Sequence, residues 1–158
     1  RVFPVPHFST PNGRAQLTPT PLPELSLPDV AHFGGLADGE RGFVLNLITA
    51  RSHGQHNTVV YKAADRYRGM PHRQTLLINP EDLQTFGFEA HDRVTVQGEA
   101  GSLEQIELIP GSIRQGCGLM FFPEANVLMR GVSDQTCGTP AFKRVPVLIR
   151  AQVLASMS

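Results

Sequence analysis

The sequence predicts a mainly β fold, a barrel of six short strands with small helices between them, preceded by a proline-rich arm. Three observations carry this. Beyond Gly42 the apolar residues come in short runs broken by Gly, Pro, Asn and Asp. Two of those runs, Arg93–Gln97 and residues 103–109, alternate apolar with polar side chains, the period of a half-buried strand. Few segments keep a helical period over a useful length, and no internal repeat is visible. A doubly wound sheet would need long helices between its strands, so a barrel is the better match.

The elements follow in order. Seven of the 13 prolines (Pro4, Pro6, Pro11, Pro19, Pro21, Pro23 and Pro28) fall in residues 1–28. Proline fixes φ and removes a donor, which disfavours helix and strand interiors there. Residues 1–40 read as an extended arm packed on a surface, with Asn12-Gly13 as a turn. A disordered linker is the other reading, and the apolar Val2, Phe3, Val5, Phe8 and Leu17 weigh against it. Residues 41–158 form the barrel domain. Residues 43–49 (Phe-Val-Leu-Asn-Leu-Ile-Thr) are an apolar run of strand length, and Thr75–Ile78 is another, closed by Asn79-Pro80. Pro80 at a first helical position, with Glu81 and Asp82 in the first turn, predicts a short helix to about Phe86. Arg93–Gln97 and residues 103–109 are joined by a hairpin turn at Glu99-Ala100-Gly101-Ser102. Residues 118–122 and Val145–Ala151 complete the six strands.

Composition bounds the function. The 158 residues suit one domain, and 41 % hydrophobic content supports a core. Charged residues make up 18 %, below the globular average of about 25 %. Fourteen basic side chains balance fourteen acidic ones, so bulk charge points neither to nucleic acid nor to a membrane surface. No apolar run approaches the ~20 residues that span a bilayer. No signal peptide is visible at Arg1-Val2-Phe3-Pro4, and the missing initiator Met points to a fragment or a processed chain. Cys117 and Cys137 form no CxxC pair and no zinc set; two reduced thiols imply a reducing, cytoplasmic setting.

Local charge says more. Residues 51–73 hold Arg51, Lys62, Arg66, Arg68 and Arg73 against Asp65 alone, with His53, His56 and His72 in the same stretch. The segment follows the best predicted strand and is rich in amides and hydroxyls. Such a loop suits a phosphate or pyrophosphate, although a solvated basic face reads equally well from composition. Residues 81–109 are acidic, with seven carboxylates against Arg93. The three histidines make a poor metal set without a nearby Cys or acid. No G-x-G-x-x-G, P-loop or G-x-S-x-G spacing occurs. Gly101-Ser102 and Gly111-Ser112 could serve a self-processing decarboxylase but are ordinary turn chemistry. Asp82, Asp92 and Asp134 read as a helix-start acid, a turn acid and a cap. Phe121-Phe122 reads as core or as a stacking platform.

Taken together, several segments resemble a known family. Residues 47–58 (Leu-Ile-Thr-Ala-Arg-Ser-His-Gly-Gln-His-Asn-Thr) resemble the L-x-T-x-R and Q-x-N/H-T signature that opens the C-terminal dinucleotide-binding domain of molybdopterin oxidoreductases. Asn79-Pro80-Glu81-Asp82 resembles the family's N-P-x-D helix start, and residues 87–96 its G-(…)-D-x-V-x-V. Gly111, Phe122-Pro123-Glu124-Ala125-Asn126-Val127-Leu128 and residues 134–143, ending Thr139-Pro140-Ala141-Phe142-Lys143, continue in the same order. Phe8-Ser9-Thr10-Pro11-Asn12-Gly13-Arg14-Ala15 is similar to the T-P-x-G-(K/R)-A segment before that domain. Asp65-Arg66-Tyr67-Arg68-Gly69 and the Phe122–Leu128 stretch look most like the formate-dehydrogenase-like branch.

The resemblance implies a double-psi β-barrel that holds the molybdopterin guanine dinucleotide of a molybdenum or tungsten enzyme. By position, Thr49, Ala50, Arg51, Ser52, His53, Gly54, Gln55, His56, Asn57 and Thr58 would wrap the pyrophosphate and pterin through backbone donors and the Arg51 fork. Asn126 would bond the pterin edge, Lys143 would neutralise cofactor charge, and Asn79 and Asp82 would contact guanine or ribose. The family's metal ligand (Cys, selenocysteine or Ser) and its iron–sulfur cysteines have no counterpart, since Cys117 and Cys137 stand elsewhere. The expectation is therefore a domain of a larger oxidoreductase, with no turnover in isolation, partnered by the parent's other domains and prone to self-association without them. The alternative is a stand-alone barrel that binds a protein partner or another phosphate ligand.

Overall fold

The computed structural model describes residues 8–19, 21, 26–56, 59, 62–133, 135, 138–140 and 142–152. Six strands form the barrel: β1 (Gly42–Ala50), β2 (Thr75–Ile78), β3 (Arg93–Gln97), β4 (Ser102–Pro110), β5 (Cys117–Phe121) and β6 (Val145–Ala151). They close in the order β1-β5-β2-β4-β3-β6, with β6 returning to β1. The β1–β5 and β2–β4 pairs are parallel and the other four antiparallel. The expected strands are all present, shifted by a residue or so at their ends. Phe122 is the exception, leaving the sheet after β5.

Side-chain alternation fills the barrel. Along β1, Phe43, Leu45, Leu47 and Thr49 are buried while the residues between them are half-buried. Both faces of β2 are covered: Leu76 and Ile78 enter the main core, whereas Leu77 packs with Met70, Ile109 and Phe121 in a second cluster. At these burials each large aliphatic side chain contributes about 1.5–3 kcal/mol. Phe121 is therefore core, as one of its two readings had it.

The one α-helix among the described residues, α1 (Pro80–Phe86), starts as its sequence dictates: the Asn79 side chain accepts from Glu81 N at 2.8 Å, Pro80 takes the first turn, and Gly87 at φ 71° ends it. Two further contacts tie α1 to the β4–β5 connection. Asn79 Nδ2 donates to Ile113 O at 2.7 Å, and the buried Asp82 accepts from Gly116 N at 2.8 Å.

Thr10–Gly13 forms the expected turn, with Gly13 N donating to Thr10 O at 3.0 Å. Val2, Phe3 and Val5 lie outside the described residues. Within the span expected to be extended, Val30–Phe33 instead forms a 3-10 turn. Asp29 caps it through His32 N, and Gly34 in the left-handed region ends it. The segment is fastened to the barrel: Phe33 is buried, Gln97 Nε2 donates to Phe33 O at 3.1 Å, and Arg150 pairs with Glu40 at 3.2 Å.

Candidate functional site

Strands β1 and β5 run parallel in register, Thr49 beside Met120 and Ala50 beside Phe121, so both release the chain at one end of the barrel. Their loops lie side by side, Phe122 N donating to Ala50 O at 3.0 Å. The antiparallel β6 begins at the same end, and its approach is stitched to β1: Thr49 N and Thr49 Oγ1 both donate to Phe142 O, at 3.2 and 2.9 Å, and Lys143 Nζ donates to Thr49 O. A short 3-10 helix, Glu124–Leu128, follows β5 and presents Asn126.

Between these segments lies a cleft of about 480 Å³. Thr49, Ala50 and Arg51 form one side, Phe122, Asn126, Met129 and Arg130 a second, and Phe142 and Lys143 a third. Arg51, Arg130 and Lys143 supply positive charge, and among the described residues no carboxylate lines the cleft. Arg130 is partly shared with Glu99, 3.3 Å away. Phe122, Met129 and Phe142 add apolar surface. Cations and an amide converging on apolar walls suit an anionic ligand with a planar ring system, so the donor set fits a dinucleotide-bearing pterin.

Behind the cleft the β1 loop is held by buried polar groups. Ser52 N and Oγ donate to Gln55 Oε1 at 2.9 and 3.2 Å, and Gln55 Nε2 donates to Phe122 O at 2.9 Å. Asp65, 1 % exposed, accepts from His53 N at 3.0 Å, Tyr67 N at 3.1 Å and Arg68 Nη1 at 2.5 Å. Burial alone would raise its pKa, but the His53, Arg68 and Tyr67 hydrogen bonds together hold it below the ordinary carboxylate value. Arg68 also donates to Arg51 O at 3.4 Å, which anchors the backbone of a cleft residue.

Of the residues the sequence nominated, Thr49, Ala50, Arg51, Asn126 and Lys143 come together in the cleft. Ser52 and Gln55 lie behind it in the loop network, and Gly54, at φ 76°, makes the Ser52–Gln55 turn. His53 stands apart, its ring 4.1 Å from Tyr67 in a separate pocket with Lys62 and Arg66. His56 is exposed, and Asn57 and Thr58 lie outside the described residues, as do Asp134 and Cys137. Asn79 and Asp82 do not line the cleft; their side chains secure α1. His72 is engaged by Glu107 at 2.6 Å, and among the described residues no three His, Cys, Asp or Glu side chains are grouped to hold a metal. Cys117 is a free thiol. Among the described residues no helix is long and apolar enough to cross a membrane.

Sequence reasoning missed Met129 and Arg130, for which no local signal exists, because a five-residue 3-10 helix leaves no periodicity. Phe142 sat inside a quoted motif without a role, whereas Phe122, read beforehand as core or stacking platform, is half-buried and lines the cleft.

A closed β-barrel with a cationic, amide-bearing cleft at one end has the chemistry to take an anionic, ring-bearing ligand. Residues 45–146 match the model of the molydopterin dinucleotide binding domain, and the chain belongs to that family. It is thus a molybdopterin dinucleotide-binding domain of the kind found in oxidoreductase-like proteins. The uncharacterized oxidoreductase Rv2900c of Mycobacterium tuberculosis is 33 % identical over 144 residues, covering 80 % of this chain and 17 % of the relative. Protein YdeP of Escherichia coli is 26 % identical over 151 residues, covering 89 % of this chain and 18 % of the relative. The chain therefore spans under a fifth of the length of these relatives. Among solved structures, acetylene hydratase from Pelobacter acetylenicus shares the fold at a TM-score of 0.51 and 14 % identity, over 68 % of this chain and 18 % of that one.

Proposed function

We propose that the chain forms one wall of the site for molybdopterin guanine dinucleotide in a larger molybdenum or tungsten oxidoreductase of the formate-dehydrogenase-like branch. The observation that carries the reading is the cleft itself, where Arg51, Asn126 and Lys143 converge from three distant segments. Arg51 offers a planar fork and Lys143 a point charge to a pyrophosphate, while Asn126 offers both an amide donor and a carbonyl acceptor to a pterin edge. Each hydrogen bond to a charged group contributes about 1.5–3 kcal/mol. The metal-bearing group, when bound, supplies the electron transfer; this domain orients it. The parallel β1–β5 and β2–β4 pairs support reading the barrel as double-psi. The branch assignment rests on Asp65 to Gly69, which anchor the Arg51 loop, and on residues 122–128, which wall the cleft. Two cysteines without a CxxC pair or a disulfide-framework spacing support a reducing, cytoplasmic setting.

Titration of the chain with GDP, followed by backbone amide shifts, tests the reading. Saturable shifts at residues 49–55, Asn126 and Lys143 are expected, and Arg51→Ala and Lys143→Ala each weaken binding about tenfold. In the parent enzyme the same variants lower molybdenum or tungsten content with little loss of folding. Normal metal content in both would overturn the assignment. Shifts confined to another face would favour a barrel that binds a different partner.

A further inference from the structure

We infer that Arg73 and Glu124 form a clamp that sets the spacing of the two loops carrying Arg51 and Asn126, and so act as positioning residues for the cleft; the ligand part of this rests on the reading above. Arg73 precedes β2, and the antiparallel β2–β5 pairing brings that end of β2 to the barrel end where β5 finishes. Its guanidinium reaches both loops at once. Toward the first, Nη1 donates to Ser52 Oγ at 3.0 Å and Nη2 to Gln55 Oε1 at 3.4 Å. Toward the second, Nη2 donates to Phe122 O at 2.7 Å and to Glu124 Oε2 at 2.8 Å, while Nε donates to Glu124 Oε1. The Arg73–Glu124 contact is therefore a two-bond fork, and Arg73 Cζ lies 5.0 Å from the centre of the Phe121 ring.

Neither residue lines the cleft. Both act one step behind it, because Ser52 follows Arg51 and Phe122 forms part of the cleft wall. The side chain of Arg73 is 10 % exposed. With Glu124 27 % exposed the ion pair is only partly buried and a weak source of stability compared with apolar packing, but the planar fork fixes direction and distance in a way that apolar contacts do not. A lysine at this place keeps the charge yet cannot serve Ser52, Phe122 and both Glu124 oxygens together.

The test uses the whole 158-residue chain and two readouts. Amide hydrogen exchange at Ser52, Gln55 and Phe122 reports the clamp without any ligand. Affinities for GDP and for inorganic pyrophosphate, measured where every variant is fully folded, report positioning. In Arg73→Lys, exchange at those three amides is expected to rise about tenfold while Leu45, Val94 and Val147 in the strands change little. Both ligands are expected to bind about tenfold more weakly. Glu124→Gln, nearly isosteric, moves both readouts the same way by less and carries the test if Arg73→Lys fails to fold. Unchanged exchange in the loops overturns the clamp. Faster exchange with affinities kept within about twofold reduces the pair to a stabilising contact and overturns the positioning role. If the unaltered chain binds neither GDP nor pyrophosphate, the cofactor-wall reading fails instead, and the exchange data still decide the clamp.

Discussion

Gly98 marks the place where the β3–β4 hairpin meets the 3-10 helix that presents Asn126, and replacing it with alanine disturbs that helix from a distance. A Cβ at Gly98 falls 2.1 Å from Leu128 O and 2.8 Å from both Leu128 C and Cα. Unstrained carbon contacts lie at about 3.5–4.0 Å, so the Leu128 backbone has to withdraw by roughly 1 Å. It cannot do so freely, because Leu128 is fully buried and its carbonyl also accepts from Ala100 N at 3.4 Å. Overpacking of this kind costs about 1–3 kcal/mol. For a chain of this size each kcal/mol lowers Tm by about 2–4 °C, which puts the expected loss at about 2–12 °C. Scanning calorimetry measures it. Gly131→Ala is the matched control, since its Cβ meets nothing within 4 Å and Tm is expected to stay put. Amide shifts in Gly98→Ala are expected to concentrate on residues 98–101 and 124–130, with weaker GDP binding as Asn126 moves. An unchanged Tm together with unshifted residues 124–130 would refute the claim that this contact fixes the cleft wall.

Two carboxylates predict the acid limb of stability. Asp65 and Glu107 both have folded pKa values below their ordinary 3.8 and 4.5. For Glu107 the hydrogen bond from His91 is the leading cause, helped by His72 and Arg93 and opposed by burial. A depressed carboxylate gives stability that is whole above its unfolded pKa and is lost as pH falls through the folded value. Urea midpoints are therefore expected to drop below about pH 4.5 and to drop less in Asp65→Asn, which starts about 1–3 kcal/mol less stable at pH 7. A steeper acid loss in that variant would contradict the sign. Asn79→Ala removes the cap of α1 and the bond to Ile113 O, for a loss of about 0.5–2 kcal/mol in chemical denaturation. GDP affinity is expected to be untouched by it, because Asn79 lies outside the cleft; a weakened affinity would bring Asn79 into the site.

How much of this could be read beforehand depended on whether a feature is written locally. The strands were legible because each alternates or runs apolar between turn residues, and α1 because Asn79, Pro80 and Gly87 punctuate it. The pairing was not legible from periodicity. Nothing in the run at 43–49 says that it lies parallel to residues 117–121, some seventy positions on, yet that pairing brings Arg51 beside Phe122. Asn126 and Lys143 reached the candidate list through resemblance alone. Arg130 and Arg73 carried no signal: one follows a helix too short to show a period, and the other was one of five cations in a basic stretch.

That basic stretch shows why local charge misleads in both directions. Of its five cations only Arg51 lines the cleft. Arg73 is spent inside the fold on Glu124, Arg68 on Asp65, and Lys62 and Arg66 line the separate pocket around Tyr67. The cleft regains its charge from Arg130 and Lys143, each more than seventy residues beyond Arg51. An anion held there should therefore depend on Lys143 about as strongly as on Arg51, although no sequence window contains both. If neutralising Lys62 and Arg66 weakened pyrophosphate binding more than neutralising Lys143, the anion would sit over the Tyr67 pocket, and the composition of the segment, rather than the convergence of three segments, would have located the site.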